Sequence, residues 1–147
     1  MDKGVAVALM VIAGGMIALQ APINSTLGKS VGTFAAASIS FLVGSVALVA
    51  ITVLVAGGFG DVGNARELAP YYLIGGLLGA VYVTAALVTV RELGAGGVTA
   101  ATITGQLVLS VVVDRLGVLG LDQRPLSAQR ILGIALLVAG TFLVVRE

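Results

Sequence analysis

The stretch that decides the class of this protein is residues 33–56, TFAAASISFLVGSVALVAITVLVA, which contains no charged side chain. A transmembrane α-helix needs about 20 consecutive, mostly apolar residues to cross the hydrocarbon core of a bilayer. Ser38, Ser45 and Thr52 recur within the stretch at heptad spacing, which favours a face that packs against another helix. The stretch therefore predicts a membrane-spanning helix.

Four further stretches of similar character complete the chain: 4–24, 68–90, 95–113 and 128–145. Charged residues make up 10% of the sequence and hydrophobic residues 59%, whereas an average soluble domain is roughly 25% charged. Since so few charges cannot cover a surface in water, lipid must face most of the exterior. We predict an all-α integral membrane bundle of five transmembrane helices, in one domain over residues 1–147. The first apolar run is interpreted as a helix and not as a signal peptide, because further apolar runs follow it.

Several chemistries are excluded by composition. The sequence has no cysteine and no histidine, which removes thiol catalysis, the usual zinc sites and a histidine general base. The net charge of +1 offers no strongly basic face to nucleic acid. Because neither a nucleophile–base pair nor a cluster of metal ligands is visible, we predict that the protein is not an enzyme and uses no cofactor or metal.

The connections between the spans are short, and an odd number of spans places the two ends of the chain on opposite sides. The connections are Ser25–Gly32, Gly57–Glu67, Arg91–Gly94 and Asp114–Ser127. One side has the basic residues Lys3, Arg66, Arg115, Arg124 and Arg130, and the other has Lys29, Arg91 and Arg146. Cytoplasmic loops normally carry a clear excess of such residues. The small difference leaves two alternatives open, a cytoplasmic N-terminus or insertion in both orientations.

The fourth span carries a polar stripe. Thr99, Thr102, Gln106, Ser110 and Asp114 follow one another at spacings of three or four residues, which places them on one face of a helix. Polar side chains are costly in hydrocarbon and usually face a bundle interior or a cavity. The stripe is interpreted as the lining of a solute pathway, with hydrogen bonding between helices as the alternative.

The first span carries a second polar pair, Gln20 and Asn24, which lie four residues apart. Pro22 lies between them and lacks the N–H that would bond to the carbonyl of Ala18. A free carbonyl beside two amide side chains would form a surface that coordinates a ligand. In the alternative interpretation, Pro22 ends the helix and both amides lie at the level of the lipid headgroups.

Small residues mark two further faces. In the third span Tyr82 falls on a face with Gly75 and Gly79, where glycines let another helix approach closely. The hydroxyl of Tyr82 needs a polar partner, so both packing and substrate contact stay open there. In the fifth span Gly133 and Gly140 lie seven residues apart on one face. That spacing suits association of two such helices or packing within one chain.

Several runs resemble the signature of the YdcZ-like proteins. They are Gln20–Asn24 with Leu27 and Gly28, Ser40–Gly44, Gly75–Ala80 with Tyr82, and Gly105 and Gln106 with Ser110, Asp114 and Gly117. At Arg115 and Leu116 the chain departs from that family, which often has a histidine and an aromatic residue there. The resemblance implies a multi-pass protein of the bacterial inner membrane, in the single-repeat, five-helix branch of the drug/metabolite transporter superfamily.

The resemblance also implies an assembly. Larger members of the superfamily look like two such repeats of opposite orientation fused in one chain, and many transporters bind substrate between inverted repeats. The fifth span is similar to the dimerising helix of small multidrug resistance proteins, in which two glycines also lie seven residues apart. A single bundle of five helices has little room for a pocket of roughly 300 Å³. We therefore predict an antiparallel homodimer of ten helices with a shared cavity.

The expected function is transport of a small solute by alternating access. The predicted substrate-binding residues are Gln20, Asn24, Phe41, Tyr82, Gln106 and Ser110; Asp114 is the candidate for proton or cation coupling, and Gly133 and Gly140 are predicted to pack in the dimer. The predicted partners are the lipid bilayer, the solute and a second copy of the chain, but no nucleic acid. The alternatives are a passive channel or facilitator and a membrane scaffold that transports nothing.

Overall fold

The computed structural model describes residues 2–146, and within this range the chain is helical, with no strand. Four α-helices follow one another: α1 (Lys3–Val31), α2 (Thr33–Leu54), α3 (Gly75–Leu116) and α4 (Ala128–Val145). Two short 3₁₀ helices, Val62–Glu67 and Pro70–Ile74, lie between α2 and α3. Within the described residues, four helical segments are long and apolar enough to cross a membrane, the third of them running from Pro70 to Leu116.

The count of four differs from the five helices expected, and the difference lies at Gly94. The predicted turn Arg91–Gly94 is reduced to this one residue, whose φ of 67° and ψ of 171° are not helical. Glycine adopts a positive φ without the steric cost that a Cβ imposes, so the break needs no loop. Gly94 divides α3 into a first arm (residues 75–93) and a second arm (residues 95–116). The 42 residues of α3 correspond to about 63 Å of helix, roughly twice the thickness of the hydrocarbon core.

Helix α1 continues through most of the stretch predicted as the first connection. It ends at Val31, and Pro22 lies inside it. The interpretation in which Pro22 ends the helix is therefore wrong. Thr26 lies one turn later and donates its hydroxyl to the Pro22 carbonyl, at 2.9 Å. Only Gly32, with a φ of +88°, separates α1 from α2.

The described residues form two compact units. Unit 1 comprises the chain up to Ala18 and the chain from Glu92 onward, and unit 2 comprises Leu19–Arg91. Both α1 and α3 contribute to each unit, because the chain passes from one unit to the other inside these helices.

In unit 2 the chain folds back on itself at Gly32. Asn24 bonds to Ser40, and a Cβ at Gly28 would lie 3.7 Å from the Cβ of Ala36. Because both pairs are centred on Gly32, α1 and α2 run antiparallel on either side of it. The first arm of α3 completes the apolar cluster of this unit, which consists of Ala36, Ala37, Val83 and Leu87 with Leu27, Phe41 and Tyr82 packed against them.

In unit 1 the second arm of α3 runs antiparallel to α4. Asp114 pairs with Arg130 near one end, and Thr104 contacts Thr141 further along. The connection between the helices is held by the last carbonyls of α3, since the carbonyl of Asp114 accepts from the Arg124 amide at 2.8 Å. Helix α4 then begins after Ser127, whose hydroxyl accepts from the amide of Arg130 as an N-cap.

Little of the apolar surface is buried inside the chain. Helix α4 has no buried residue, and α2 has only Ala36 and Ala37. Large apolar side chains are exposed along all four α-helices. In water such a surface would be strongly unfavourable, so it fits a protein that is surrounded by lipid or by other apolar helices.

Candidate functional site

The polar stripe lies on the second arm of α3, and Gln106 and Ser110 within it lie on the side away from α4, whereas Asp114 at its end reaches α4. Thr104 contacts α4, and Gln106 follows it by two residues, which is about 200° around a helix. Gln106 and Ser110 are exposed, whereas Thr99 and Thr102 are half-buried. The hydroxyl of Ser110 donates to the carbonyl of Leu107 at 3.0 Å, so its hydrogen is used within its own helix. The stripe thus presents an amide and a hydroxyl oxygen on a face that α4 does not cover.

Asp114, at the end of the stripe, is held by an ion pair. Its Oδ2 accepts from Nη1 of Arg130 in α4 at 3.2 Å. The side chains of Arg130 and Asp114 keep 33% and 28% of their surface exposed, so the pair is not fully enclosed by the chain. Asp114 is therefore engaged in a charged contact between the second arm and α4.

The amide pair of the first span lies in unit 2. Asn24 is 5% exposed, and its Nδ2 donates to the hydroxyl of Ser40 at 3.0 Å. Gln20 lies one turn earlier on the same side of α1 and is half-buried. Asn24 therefore already takes part in a hydrogen bond between α1 and α2.

Phe41 and Tyr82 also belong to unit 2, where both are half-buried against its apolar cluster. A Cβ at Gly79 would lie 3.3 Å from Cζ of Phe41, so the ring packs directly on the glycine. The absence of a side chain at Gly79 is what lets the ring approach α3 so closely.

The two glycines of α4 are open. A Cβ added at Gly133 or at Gly140 would meet nothing within 4 Å. The contacts of α4 with the second arm instead use Arg130 and Thr141. The face of α4 that carries Gly133 and Gly140, the glycine face, therefore packs against nothing within unit 1. Of the two alternatives, association with a helix outside unit 1 stays open.

Sequence reasoning missed a pair of threonines. The hydroxyls of Thr104 and Thr141 are 2.6 Å apart, and they lie 2.9 Å and 3.1 Å from the carbonyl of Ala100. Thr141 was visible as the polar residue of the apolar run 131–145, but no pattern in the sequence pairs it with Thr104. These contacts join α4 to α3 at the level of a cavity of about 410 Å³.

A second missed contact joins Arg91 to Ser25. Arg91 donates its Nε to the hydroxyl of Ser25 at 3.2 Å, across 66 residues of sequence. Both residues had been assigned to connections between spans, where a specific contact is not expected from pattern alone. Ser25 and Asn24 are the buried polar residues of the described chain.

Two cavities lie along α4 in unit 1. The one near the Asp114 end has a volume of about 310 Å³ and apolar walls that include Val108, Val111 and Ile131. The other, of about 410 Å³, includes Thr104 and Thr141. Neither of these two cavities is lined by Gln106 or Ser110. Residues 2–146 hold no group of three acidic, histidine or cysteine side chains that could bind a metal ion.

Comparison with known proteins identifies the family. A family model described as "Putative inner membrane exporter, YdcZ" matches residues 5–143, nearly the whole chain. No curated protein and no solved structure matches the chain. The family match covers the amide pair, the polar stripe and the glycine face of α4 alike. The chain is therefore an inner-membrane protein that belongs to the YdcZ family of the drug/metabolite transporter superfamily, a family of membrane transporters and not of enzymes.

Proposed function

We propose that the protein moves a small solute across the inner membrane by alternating access, as an antiparallel homodimer of ten helices. The observation that carries the proposal is the exposed position of Gln106 and Ser110 on a helix arm of membrane-spanning length. An amide in hydrocarbon is costly, so this face must be covered by polar groups, water or solute.

The length of α3 supports five crossings per chain. Each arm is close to the length of about 20 residues that a crossing requires, and Gly94 breaks the helix between them. Two arms that cross separately place the polar stripe in its own span. A single crossing by α3 would leave about half of an apolar helix outside the bilayer.

A second copy of the chain supplies the missing packing. Gly133 and Gly140 leave an open face on α4, and small residues let the backbones of two membrane helices approach closely. In the antiparallel dimer this face meets its counterpart, and the two copies together enclose the cavity. The substrate-binding residues in this dimer are Gln20, Asn24, Phe41, Tyr82, Gln106 and Ser110.

Alternating access requires points at which helices can bend. The chain passes between the two units after Ala18 and after Arg91. The first passage lies at the carbonyl that Pro22 leaves without its helical donor, and the second lies three residues before Gly94. A proline or a glycine beside each passage provides two hinges.

A passive facilitator is the second candidate, and the ion pair of Asp114 favours it. Asp114 is the one acidic residue of the stripe, and Arg130 already neutralises it. Coupling to protons or cations would require this pair to open during each cycle. If it stays closed, the same pathway conducts solute downhill without coupling.

Cysteine accessibility tests the number of crossings and the orientation together, because the natural chain has no cysteine. Asn64→Cys and Asp122→Cys are introduced into the same chain, on either side of α3, and labelled in intact cells with an impermeant maleimide. If both arms cross, the two sites share a side, so each chain carries two labels or none. If α3 crosses once, each chain carries one label, which would rule out the five-helix arrangement.

The proportion of the two labelled forms reports orientation. Dual insertion gives comparable amounts of doubly labelled and unlabelled chains. If every chain shows the same pattern, the orientation is fixed and the antiparallel homodimer is ruled out. Permeabilised cells serve as the control that both cysteines react when exposed.

Solute flux tests the role of the stripe. Neutral, anionic and cationic solutes are screened by thermal shift on the purified protein, since a ligand of the folded state raises Tm. The flux of the strongest binder into proteoliposomes is then measured.

We expect Gln106→Leu to reduce this flux at least about tenfold, because one or more hydrogen bonds to the solute are lost. Leu109→Ala on the same arm is the control and should leave the flux within about twofold of that of the natural chain. Saturation and counterflow indicate a carrier, and linear, unsaturated flux indicates the facilitator. Equal effects of the two variants would contradict the proposed pathway.

A further inference from the structure

Asn24 is a buried amide whose hydrogen-bonding capacity is only partly used. It is 5% exposed, and in the described residues its side chain makes one hydrogen bond, from Nδ2 to the hydroxyl of Ser40 at 3.0 Å. Because an amide also has an acceptor oxygen, Oδ1 is left without a partner in residues 2–146. In this part of the chain no side-chain oxygen or nitrogen is both fully buried and unpaired, so Oδ1 keeps access to the surroundings. Such a group is costly in an apolar setting unless something bonds to it.

Ser40 supplies a donor beside that acceptor. Ser38 and Thr52 of the same helix donate their hydroxyls to the carbonyls four residues earlier, at 2.9 Å and 2.8 Å. Within the described residues Ser40 makes no such bond, and its hydroxyl serves only as the acceptor from Asn24, so its hydrogen is available. Turning the amide of Asn24 over would exchange the roles, but the pair would still offer one donor and one acceptor.

The hairpin of α1 and α2 leaves open space beside this pair. In the antiparallel register set by Asn24 and Ser40, Gln20 lies opposite Gly44, one turn further from the bend between the helices. A Cβ on Gly44 would meet nothing within 4 Å, and every residue of α2 from 42 to 51 is exposed. The side chain of Gln20 makes no hydrogen bond within the described residues, so a second amide borders the same space.

The helices around this space contribute no charge to it. No Asp, Glu, Lys or Arg occurs in residues 4–28, 33–56 and 68–90. Arg91 lies over Gly28, on the far side of Asn24 from Gln20, and it already donates to Ser25. A charged ligand would therefore be desolvated without a counter-charge, whereas a neutral polar group would lose only hydrogen bonds that this pair can replace.

We propose that Asn24 and Ser40 together recognise a neutral group with a donor beside an acceptor, of which a primary carboxamide is the simplest, on the transported solute. The carbonyl oxygen of the solute accepts from the Ser40 hydroxyl, and its N–H donates to Oδ1 of Asn24, so both protein groups are satisfied. Ser40 is thereby a specificity-determining residue. The inference rests on the proposed function, since it names the class of solute for one part of that transport site.

Binding to the purified full chain tests the inference by equilibrium dialysis in detergent, with protein-free micelles as the blank. Four probes share a benzene ring and differ in one group. Benzamide is neutral and has a donor and an acceptor, acetophenone lacks the donor, benzoate is an anion and benzylammonium is a cation. We expect benzamide to bind at least about fivefold more tightly than the other three, as the loss of one hydrogen bond to a buried group predicts.

Variants of α2 locate the contact. Ser40→Ala should weaken benzamide binding about fivefold, and Ser40→Thr, which retains the hydroxyl, should restore it. Ser38→Ala is the matched control, because Ser38 is exposed and its hydroxyl bonds within its own helix. It should change the affinity less than about twofold.

Gly44→Leu keeps the test decisive if Ser40→Ala does not fold. A Cβ at Gly44 meets nothing within 4 Å, so the variant should keep its Tm, but its larger side chain takes the space opposite Gln20 and should abolish benzamide binding. Equal affinity for the four probes overturns the inference, and so does unchanged benzamide binding in both Ser40→Ala and Gly44→Leu.

Flux into proteoliposomes separates this inference from the proposed function. A chain that binds benzamide through Ser40 but moves no solute retains the binding site and contradicts transport. A chain that moves other solutes but shows no preference for benzamide retains transport and overturns the inference.

Discussion

The two arms of α3 are both largely apolar helices, but they contact the rest of the chain in different ways. The first arm buries apolar side chains, with Leu87 2% exposed and Val83 and Ala86 almost as deep. The second arm meets α4, which buries no residue, through the threonine pair and the ion pair of Asp114. Helix association in lipid has no hydrophobic driving force, so close packing and interhelical hydrogen bonds must supply it. The first arm relies on packing, whereas the second adds these polar contacts to the packing of Val98 and Val111, which are also buried.

This comparison predicts that single substitutions cost more in unit 2 than in unit 1. A packed side chain makes many contacts that are lost together when it is truncated. An exposed polar pair, in contrast, competes with water and contributes little. The four substitutions below follow that order.

The largest loss should follow from Leu87→Ala, which opens a cavity in the apolar cluster of unit 2. Truncation of a buried leucine costs about 2 kcal/mol or more. The free energy of unfolding is measured by titration with sodium dodecyl sulfate in mixed micelles. Leu77→Ala on the same arm is the control, because Leu77 is 67% exposed. If the two variants lose the same stability, the first arm is not held by packing.

The next largest effect should be that of Asn24→Ala, which removes the bond to Ser40 inside unit 2. Loss of a buried hydrogen bond costs about 1 kcal/mol. Ser40→Ala and the double variant complete a double-mutant cycle in the same unfolding assay. If the losses of the two single variants add up in the double variant, the two side chains do not interact. If Asn24→Ala keeps normal stability but loses solute binding, Asn24 contacts the ligand and does not hold the helices together.

A smaller effect is expected from Arg130→Gln, because both members of its ion pair are partly exposed. The pair should contribute roughly 0.5–1 kcal/mol and less at high salt. Unfolding is followed at low and at high sodium chloride, with Asp114→Asn as the reciprocal variant. A loss larger than that of Leu87→Ala would reverse the comparison between the arms. It would also indicate that the pair is shielded from water in the assembled protein.

The smallest effect should come from Thr104→Val, which removes one hydroxyl from the threonine pair without changing its volume much. Hydrogen bonds between membrane helices average about 0.6 kcal/mol. Thr141→Val should cost the same, and the two together should cost less than their sum. Since these hydroxyls lie beside the 410 Å³ cavity, a change in solute flux larger than the change in stability would give them a functional role.

The amount that sequence reasoning recovered depends on how local each feature is. The apolar runs predicted the membrane-spanning helices, because a span is set by the composition of about 20 consecutive residues. The end of α1 was not recovered, since Ser25–Val31 is polar enough for a loop and yet forms helix up to Gly32. The number of helices differed because one glycine, and not a loop, separates the arms of α3.

For the candidate site, too, sequence reasoning recovered the local features and missed the contacts between distant residues. Helical spacing alone placed Thr102, Gln106 and Ser110 on one face, because that face depends only on the pitch of the helix. The spacing could not indicate that α4 lies on the opposite side, where Thr104 meets Thr141. It also could not indicate that Arg91 reaches Ser25, since the two are 66 residues apart.

The sequence by itself determined that this is a membrane protein, where its apolar spans lie and which residues share a helical face. These properties follow from local composition and from a fixed period of 3.6 residues per turn. Only the tertiary structure decided that Asp114 is paired, that Gly133 and Gly140 are open and that Arg91 stands over Gly28. The physical reason is that a contact between helices depends on rotation and register. A shift of two residues turns a side chain about 200° around the helix, from one neighbour to another.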